Sequence, residues 1–311
     1  MKTLICGSLA YDNIMVFADR FKNHILPEQI HILNVSFLVP EMRREFGGCA
    51  GNIAYSLKML GGEPAIMATA GDDFEPYAQR LEGLGIEQAF IRRVPGTYTA
   101  QAFITTDLDD NQITAFHPGA MNHSHLNNVP RDAGIKLGIV APDGRDGMLQ
   151  HAREFSEAAI PFIFDPGQGL PMFNGDELLR FVDQADYLAL NDYEAKLLEQ
   201  RTGQTLKQLA ERVRAIIVTL GKEGSHIYAN GKITEIPCVK ADQLLDPTGC
   251  GDAYRGGLLY GIAKQMDWQM TGRLAALMGA MKIATRGAQN YALGKAEIEA
   301  QFKRTFGMAL N

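Results

Sequence analysis

The sequence predicts an α/β protein with a mainly parallel central sheet, helices on both faces of it, and a small extra layer of β-strands. Short apolar runs alternate with segments of helical periodicity, which is typical of a parallel sheet. Hydrophobic residues make up 46% of the 311 residues and charged residues 21%, as in globular proteins. Two segments interrupt the alternation. We therefore expect one large domain that spans 1–311.

The apolar runs have the length and turn-bounded ends of strands that are buried on both faces. They are Thr3–Cys6, Ala65–Thr69, Ile135–Ala141, Pro161–Phe164, Tyr187–Leu190 and Ala215–Leu220. The segments between and after them place apolar residues on one helical face. They are Asn52–Leu60, Met148–Ala158, Asp192–Glu199, Leu206–Val213, Gly251–Lys264, Met270–Thr285 and Lys295–Thr305.

The two interrupting segments lie at about 13–45 and 98–116, and neither has helical spacing. The first contains an extended run over 30–39. The second predicts a hairpin between Ala100–Thr106 and Gln112–Phe116. We interpret both as strands outside the main sheet that form a small β lid. The alternative is a pair of irregular surface insertions.

Composition argues against several classes of protein. The net charge is −6 and no basic block interrupts it, so nucleic acid is not an expected partner. No apolar stretch has the length of a membrane span, and we expect a cytoplasmic protein with no membrane contact. The four cysteines lack metal-ligand spacing, which favours free thiols. His117, His123 and His125 have no carboxylate or cysteine in register and do not predict a metal site.

The segment Leu245–Tyr260 carries the strongest chemical signal. Gly249 and Gly251 precede a helical pattern that opens at Asp252. Such a helix start leaves backbone N–H groups unpaired at the positive end of the helix dipole, which suits a phosphoryl group. A carboxylate there repels phosphate, so its presence favours a general base that takes a proton from an attacking hydroxyl. The alternative is an ordinary helix N-cap.

Two motifs in this chain resemble the signatures of the ribokinase-like (PfkB) family of sugar and nucleoside kinases. Residues 246–257 read D-P-T-G-C-G-D-A-Y-R-G-G and resemble the C-terminal signature, although Pro247 and Cys250 stand where the family more often has Thr and Ala. Residues 47–54 read G-G-C-A-G-N-I-A and resemble the N-terminal signature. The resemblance spans nearly the whole chain and implies a ribokinase-like three-layer sandwich with a β lid.

The resemblance also implies roles for particular residues. Asp252 would be the catalytic base, and the backbone of Gly249, Cys250 and Gly251 would hold the charge of the transferred phosphoryl group. An NxxE segment and a TxGxxG segment would bind ATP, and the first would also organise Mg²⁺, largely through water. The matching residues are Asn191, Glu194, Thr219, Gly221 and Gly224. A requirement for a monovalent cation such as K⁺ stays open, and so does the oligomeric state, with a homodimer as one alternative.

For the acceptor, the resemblance implies that Asp12 binds sugar hydroxyls with help from Gly47, Gly48 and Asn52. A carboxylate can accept hydrogen bonds from two vicinal hydroxyls at once, which supports this role. Taken without the family, Asp12 is equally well a turn residue.

The lid segments further predict a pocket for a flat base, because a base needs apolar walls and an amide or backbone group at its edge. Candidate wall and edge residues are Phe37, Leu38, Ala100, Gln101, Phe103, Phe116 and Gln168. Gln168 lies in a D-P-G-Q stretch where many sugar kinases of the family carry an arginine. The alternative is that the aromatic residues pack the lid's own core.

We therefore predict an ATP-dependent nucleoside kinase of the adenosine kinase branch, which phosphorylates the 5′-hydroxyl of a purine nucleoside such as adenosine. A ribokinase- or fructokinase-like sugar kinase is the main alternative. A non-catalytic nucleotide sensor is a third, although Asp252 argues against it. Arg255, one helical turn after Asp252, is interpreted as a solvated surface residue.

Overall fold

The computed structural model describes residues 1–25, 34–109, 111–291 and 294–310. Within these residues the strands form two sheets, one of nine strands and one of four, and helices pack on the larger sheet. The predicted α/β architecture with a second, small sheet is confirmed. No helix in the described ranges is long and apolar enough to cross a membrane.

The large sheet has the strand order β13-β12-β11-β10-β9-β8-β1-β4-β5. Neighbours from β11 to β5 pair in parallel, whereas β12 and β13 pair antiparallel at one edge. Its strands are β1 Lys2–Cys6, β4 Glu63–Ala70, β5 Glu87–Arg93, β8 Leu137–Val140, β9 Phe162–Phe164, β10 Tyr187–Asn191, β11 Ala215–Thr219, β12 Ser225–Ala229 and β13 Lys232–Ile236. All six predicted strands are present, and β5, β12 and β13 are additional.

The helices follow the strands in the alternation that the sequence predicts. They are α1 Cys49–Met59, α2 Glu75–Gly83, α3 Arg145–Glu157, α4 Gly175–Gln184, α5 Asp192–Thr202, α6 Leu206–Ala210, α7 Cys250–Ala263, α8 Trp268–Ile283 and α9 Lys295–Phe306. The seven predicted helical segments correspond to α1, α3 and α5–α9. Helix α6 ends at Ala210, before the predicted end at Val213.

Two hydrophobic cores lie on the two faces of the large sheet, because successive residues of a strand point to opposite faces. Ile5 of β1 joins one core, whereas Leu4 and Cys6 join the other. The first core packs under α1, α2 and α7–α9, and the second under α3–α6. The apolar runs in the sequence therefore mark strands that are buried on both sides.

The small sheet has the order β3-β2-β6-β7, with β2 Ala10–Val16, β3 Glu41–Gly47, β6 Ala100–Thr106 and β7 Gln112–His117. Strands β6 and β7 are the predicted hairpin. Within the predicted extended run over 30–39, residues 34–39 belong to no strand of either sheet, and β3 begins only after Pro40. Residues 30–33 and Asp110 lie outside the described residues.

The strand order reverses beside β1, where the chain builds β4 and β5 on one side and then β8 to β11 on the other. In open parallel sheets, ligands bind at the carboxyl ends of the strands at such a reversal. Only three residues separate the end of β1 at Cys6 from the start of β2 at Ala10, so the small sheet begins near this edge of the large sheet.

Candidate active site

A cleft of about 480 Å³ opens at the carboxyl ends of the parallel strands. It brings together most of the residues that were predicted to bind ATP and to hold the phosphoryl group. Those residues are Asn191, Glu194, Thr219, Gly221, Gly249, Gly251 and Asp252, and Gln168, a candidate for the edge of the base pocket, also lines the cleft. Cys250 and Gly224 are not among its lining residues. Cys250 lies between two residues that are, and the Gly224 amide donates to Gly221 O at 3.2 Å.

Three polar residues line the cleft because each stands at the end of a neighbouring strand. Asp165 follows β9, Asn191 ends β10 and Thr219 ends β11. Asn191 is also the N-cap of α5, where its side chain accepts from the Glu194 amide at 2.8 Å. Glu194 accepts in return from the backbone N–H of Asn191 at 2.8 Å. This reciprocal capping box fixes the Glu194 carboxylate at the edge of the cleft.

The start of α7 forms one wall of the cleft. Gly249 is its N-cap with a φ of 77°, a left-handed conformation that favours glycine. The Cys250 amide donates to Pro247 O at 3.2 Å. Within the described chain, the amides of Gly251 and Asp252 have no acceptor. The predicted anion site therefore offers the amides of Gly251 and Asp252, whereas that of Cys250 is already engaged.

The Asp252 carboxylate lies in the first turn of α7 and accepts a 2.8 Å hydrogen bond from Asn52 Nδ2 of α1. Burial raises the pKa of Asp252 to about 6, and the charges of Asp165 and Asp12 add to this effect. The Asn52 hydrogen bond and Arg255 act in the opposite direction. A carboxyl group with a pKa near the working pH can accept a proton and release it again.

Arg255 is not a solvated surface residue, which corrects the interpretation from sequence. It is only 6% exposed, and its guanidinium donates two hydrogen bonds of 3.1 and 2.9 Å to the buried carboxylate of Asp165. A bidentate pair of this kind is a strong charge-assisted contact. The pair ties α7 to the end of β9, and sequence reasoning missed it because the two residues are 90 positions apart.

The predicted acceptor residues lie between the small sheet and α1. A Cβ atom on Gly47 would stand 2.5 Å from Asp12 Oδ2, so the carboxylate lies directly over this glycine. Gly48 has a φ of 84° and is the N-cap of α1. Burial raises the pKa of Asp12 to about 6, and the charges of Asp246 and Glu45 raise it further. Asn52 reaches from the same region to Asp252 and connects the two halves of the site.

Strand register decides which residues of the small sheet share a face with Asp12. Asp12 pairs with Ala102, and Ala102 pairs with Phe116, so the side chains of Asp12 and Phe116 point to the same side. Phe116 is 48% exposed, whereas Ala100 on this face is fully buried.

Gln101 and Phe103 alternate with the residues of this face and point to the opposite one, so they are not walls of a pocket over Asp12. Gln101 instead hydrogen-bonds Asn13 and Asp73. Phe37 packs against Phe17 and Phe21. This packing agrees with the alternative interpretation, in which the lid aromatics form a local core.

Comparison with known proteins identifies the family. The family model described as pfkB family carbohydrate kinase matches residues 10–294. The chain belongs to the PfkB carbohydrate kinase family. The predicted class of enzyme, a phosphotransferase with an alcohol group as acceptor, is confirmed.

Similar proteins include a nucleoside kinase of Methanocaldococcus jannaschii, 33% identical over 82% of this chain and 85% of that protein. A nucleoside kinase of Methanothermobacter thermautotrophicus is 31% identical over 98% of this chain and 96% of that protein. The structure of Burkholderia thailandensis nucleoside kinase in complex with inosine superposes with a TM-score of 0.90 at 56% identity, covering 99% of both chains.

A hydrogen-bonded chain behind this PfkB site was not predicted from sequence. Gln289 Nε2 donates to Asn52 Oδ1 at 3.0 Å and contacts the Tyr77 hydroxyl, which donates to Gly47 O at 2.8 Å. The chain therefore links Asp252, through Asn52, to the backbone below Asp12. Gln289 lies 237 positions from Asn52, and no local pattern marks such a contact.

The residues of this PfkB cleft fit Mg²⁺ held together with a nucleotide. In the described residues no cluster of three or more His, Cys, Asp or Glu side chains could bind a metal ion unaided. Mg²⁺ usually keeps several waters and takes one or two carboxylates plus substrate phosphates, so few protein ligands are needed. The Glu194 carboxylate and the Asn191 amide are oxygen donors of the required kind at the edge of the cleft.

Proposed function

We propose that the protein is an ATP-dependent nucleoside kinase that transfers the γ-phosphoryl group to the 5′-hydroxyl of a nucleoside, with a purine nucleoside such as adenosine or inosine as acceptor. One observation carries this proposal. The Asp252 carboxylate stands at the junction between the cleft at the strand ends and the Asp12 site, beside two free amides. The nucleoside kinases among its relatives, one of them bound to inosine, support the choice of acceptor.

The acceptor is held from the side of the small sheet. Asp12 accepts hydrogen bonds from two ribose hydroxyls, and Gly47 leaves room for the Asp12 carboxylate because it carries no side chain. Asn52 fixes the Asp252 carboxylate next to the sugar. This arrangement directs the primary 5′-hydroxyl toward Asp252 and the cleft.

The donor lies in the cleft, with its phosphates toward α7. As the 5′-oxygen attacks the γ-phosphorus, a new O–P bond forms and the bond to the β-phosphate oxygen breaks, so ADP leaves. The hydroxyl proton passes to Asp252, while the amides of Gly251 and Asp252 stabilise charge on the transferred group. The small sheet acts as a lid that excludes water, which would otherwise hydrolyse ATP.

Mg²⁺ would be held by Glu194 and Asn191 through water and would neutralise phosphate charge. Thr219, Gly221 and Gly224 would line the nucleotide side, and Gln168 would meet the substrates across the cleft. We also propose that residues 1–311 act as one kinase domain, with the lid at about 13–45 and 98–116. A cytoplasmic location and a homodimer stay predictions from the sequence.

The nucleobase distinguishes this proposal from a ribokinase- or fructokinase-like activity. A free sugar needs only the Asp12 end of the site. A nucleoside also contacts the face of the small sheet that carries the half-exposed Phe116, where a flat aromatic surface is available. Burial of one base face should therefore lower KM for nucleosides relative to sugars.

The test is the comparison of kcat/KM for adenosine, inosine, guanosine and cytidine with that for ribose and fructose, measured by ADP release. We expect every purine nucleoside to exceed both sugars. Phe116→Ala should raise KM for nucleosides and leave KM for ribose unchanged. A sugar that equals or exceeds all nucleosides would contradict the acceptor and leave the kinase class intact. ATP binding without turnover of any acceptor would favour a sensor.

A further inference from the structure

Lys282, in the last turn of α8, is a charged residue with no exposed surface and no role in the mechanism above. Lysine is almost never fully buried unless its ammonium group is paired. Removal of an ammonium ion from water is strongly unfavourable without compensating partners. The contacts of this side chain therefore indicate what it does.

The ammonium group is held mainly by backbone carbonyl oxygens. Lys282 Nζ donates to Asp246 O at 2.8 Å and to Thr285 O at 3.1 Å. The Asp246 carboxylate lies 3.8 Å away. Two carbonyl oxygens and a nearby carboxylate form the kind of oxygen environment that a monovalent cation also takes.

These contacts join two loops that adjoin the start of α7. Asp246 begins the loop that leads to Gly249, and its carboxylate accepts from the amides of Thr248 at 2.9 Å and Gly287 at 2.8 Å. Gly249 packs closely on the second loop, because a Cβ atom there would stand 2.7 Å from Ala288 Cβ. The position of the free amides therefore depends on both loops, and Lys282 bonds to each of them.

The charge of Lys282 also reaches the first residue of α7. Burial and the neighbouring charges of Asp246 and Asp252 raise the pKa of the Cys250 thiol to about 11, whereas Lys282 lowers it. Burial lowers the pKa of Lys282 itself, whereas the Asp246 charge raises it. The hydrogen bond to Asp246 O places the ammonium group behind the loop that leads to the helix start, at which negative phosphoryl charge would arrive. A preorganised charge of this kind stabilises a developing anion without reorganisation during the reaction.

We propose that Lys282 is a positioning residue that serves as a built-in monovalent cation and holds the phosphoryl-binding amides of α7 in place through Asp246 and Thr285. This inference rests on the proposed function, since it assumes that those amides receive the phosphoryl group. It has a direct consequence for the intact enzyme. Because the ammonium group fills the cation position, phosphoryl transfer needs no K⁺, Na⁺ or NH₄⁺.

The first experiment uses the wild-type protein. Its kcat is measured in tetramethylammonium salt, a cation too large to enter a buried site, and again after K⁺ or NH₄⁺ is added at constant ionic strength. The acceptor is whichever compound the protein phosphorylates best, so a preference for sugars would contradict the nucleoside proposal and leave this test intact. We expect kcat to change less than about twofold, and a rise of about tenfold would overturn the inference.

The second experiment compares Lys282→Ala, which leaves room for a small cation, with Lys282→Met, whose side chain fills that room. Lys264→Ala, at the exposed end of α7, is the control for loss of one lysine. We expect kcat of both Lys282 variants to fall about tenfold or more, with KM for the acceptor nearly unchanged.

Ammonium ions should restore kcat of Lys282→Ala by about tenfold and leave Lys282→Met unchanged. A purely structural role would give no such rescue. A folded Lys282→Ala protein with wild-type kcat, or one that no monovalent cation restores, would overturn the inference. If both variants fail to fold, the first experiment, on the cation dependence of wild-type kcat, still tests the inference.

Discussion

The surroundings of the Asp252 carboxylate shift its pKa in two opposite directions. Its carboxylate is partly buried at the cleft wall, which raises its pKa to about 6, yet Asn52 and Arg255 favour the ionised form. The residue is therefore ionised at neutral pH and remains basic enough to take a proton. An ordinary helix N-cap would need neither property, and Gly249 already occupies the N-cap position.

Replacement of this carboxylate tests its role directly. We expect Asp252→Asn to lower kcat by about 10²–10⁴-fold, because a positioned general base contributes about that much. Affinity for ATP should not fall, since the variant removes a negative charge near the phosphates. Asp146→Asn, an exposed residue in the first turn of α3, is the matched control. A variant that keeps more than about a tenth of wild-type kcat would show that Asp252 is not the base.

The pH dependence of kcat should follow the ionisation of the same group. The carboxylate is the reactive form, so kcat at saturating substrates should be constant above about pH 7 and fall about tenfold per unit below about pH 6. Asn52→Ala removes a hydrogen bond that lowers the pKa of Asp252, so the midpoint should move to higher pH. A profile that is flat from about pH 5 to about pH 8 would contradict this assignment.

At the level of single residues, the sequence predicts what local motifs encode. The glycine-flanked helix start and the capping box of Asn191 and Glu194 are local patterns, and the structure places them in one cleft. Arg255 and Gln289 depend on partners far along the chain, so no local pattern reveals their contacts. Phe103, a candidate wall residue, points away from the face of Asp12, and this orientation depends on strand register, which the sequence does not specify by itself.

Among the elements, helix α7 is held in place both by the packing of its apolar side chains and by a buried ion pair. The Asp165–Arg255 pair fixes it to the end of β9 inside the protein. Loss of one partner from a buried ion pair leaves an uncompensated charge, whereas replacement of both partners by uncharged residues is far less damaging.

Arg255→Met should therefore lower the free energy of unfolding by about 3–5 kcal/mol, as measured by urea denaturation. The double variant Asp165→Asn with Arg255→Met should recover part of this loss. Arg153→Met, which removes an exposed pair within α3, should change stability by less than about 1 kcal/mol. If the double variant is less stable than Arg255→Met, the buried charge of Asp165 is not the cause of the stability lost in Arg255→Met.

All four strands of the small sheet should become less mobile when the acceptor binds. All six residues of β7 are exposed, so little buried area holds this edge in place without a ligand. Amide hydrogen exchange in peptides from β2, β3, β6 and β7 should slow when nucleoside is added. Peptides from β10 and β11, which are buried in the large sheet, serve as the internal reference. Equal exchange with and without nucleoside would argue against a lid.

Elements in the alternating part of the chain are well predicted, and the antiparallel edge is not. Strands β12 and β13 follow a helix-poor stretch and break the parallel pattern. Their turn contains Asn230 and Gly231, both with positive φ, which is a hairpin signal that the sequence offers. Neither strand is among the predicted ones, because the predicted strands of the large sheet come from apolar runs that alternate with helices, and β12 and β13 form a hairpin.

For the whole molecule, the two cores share the strands of the large sheet from β12 to β5, and only β13 contributes to one core alone, so neither core can unfold by itself. We therefore expect a single cooperative unfolding transition, as for one domain over 1–311. Fluorescence of the single tryptophan, Trp268 in α8, reports unfolding on one face of the large sheet. Far-UV circular dichroism reports the loss of secondary structure on both faces. Coincident midpoints are expected, and two separated transitions would divide the chain into more than one domain.

The close packing at Gly48 restricts how the acceptor preference of this enzyme can evolve. A Cβ atom there would lie 2.6 Å from Ala10 N and Ser8 O, so position 48 is closed to every larger side chain. The exposed side chains of β7, Phe116 among them, make few contacts that a substitution would break. Laboratory selection for a new nucleobase should therefore accumulate changes in 112–117 at little expense in stability, while position 48 stays glycine in every surviving lineage.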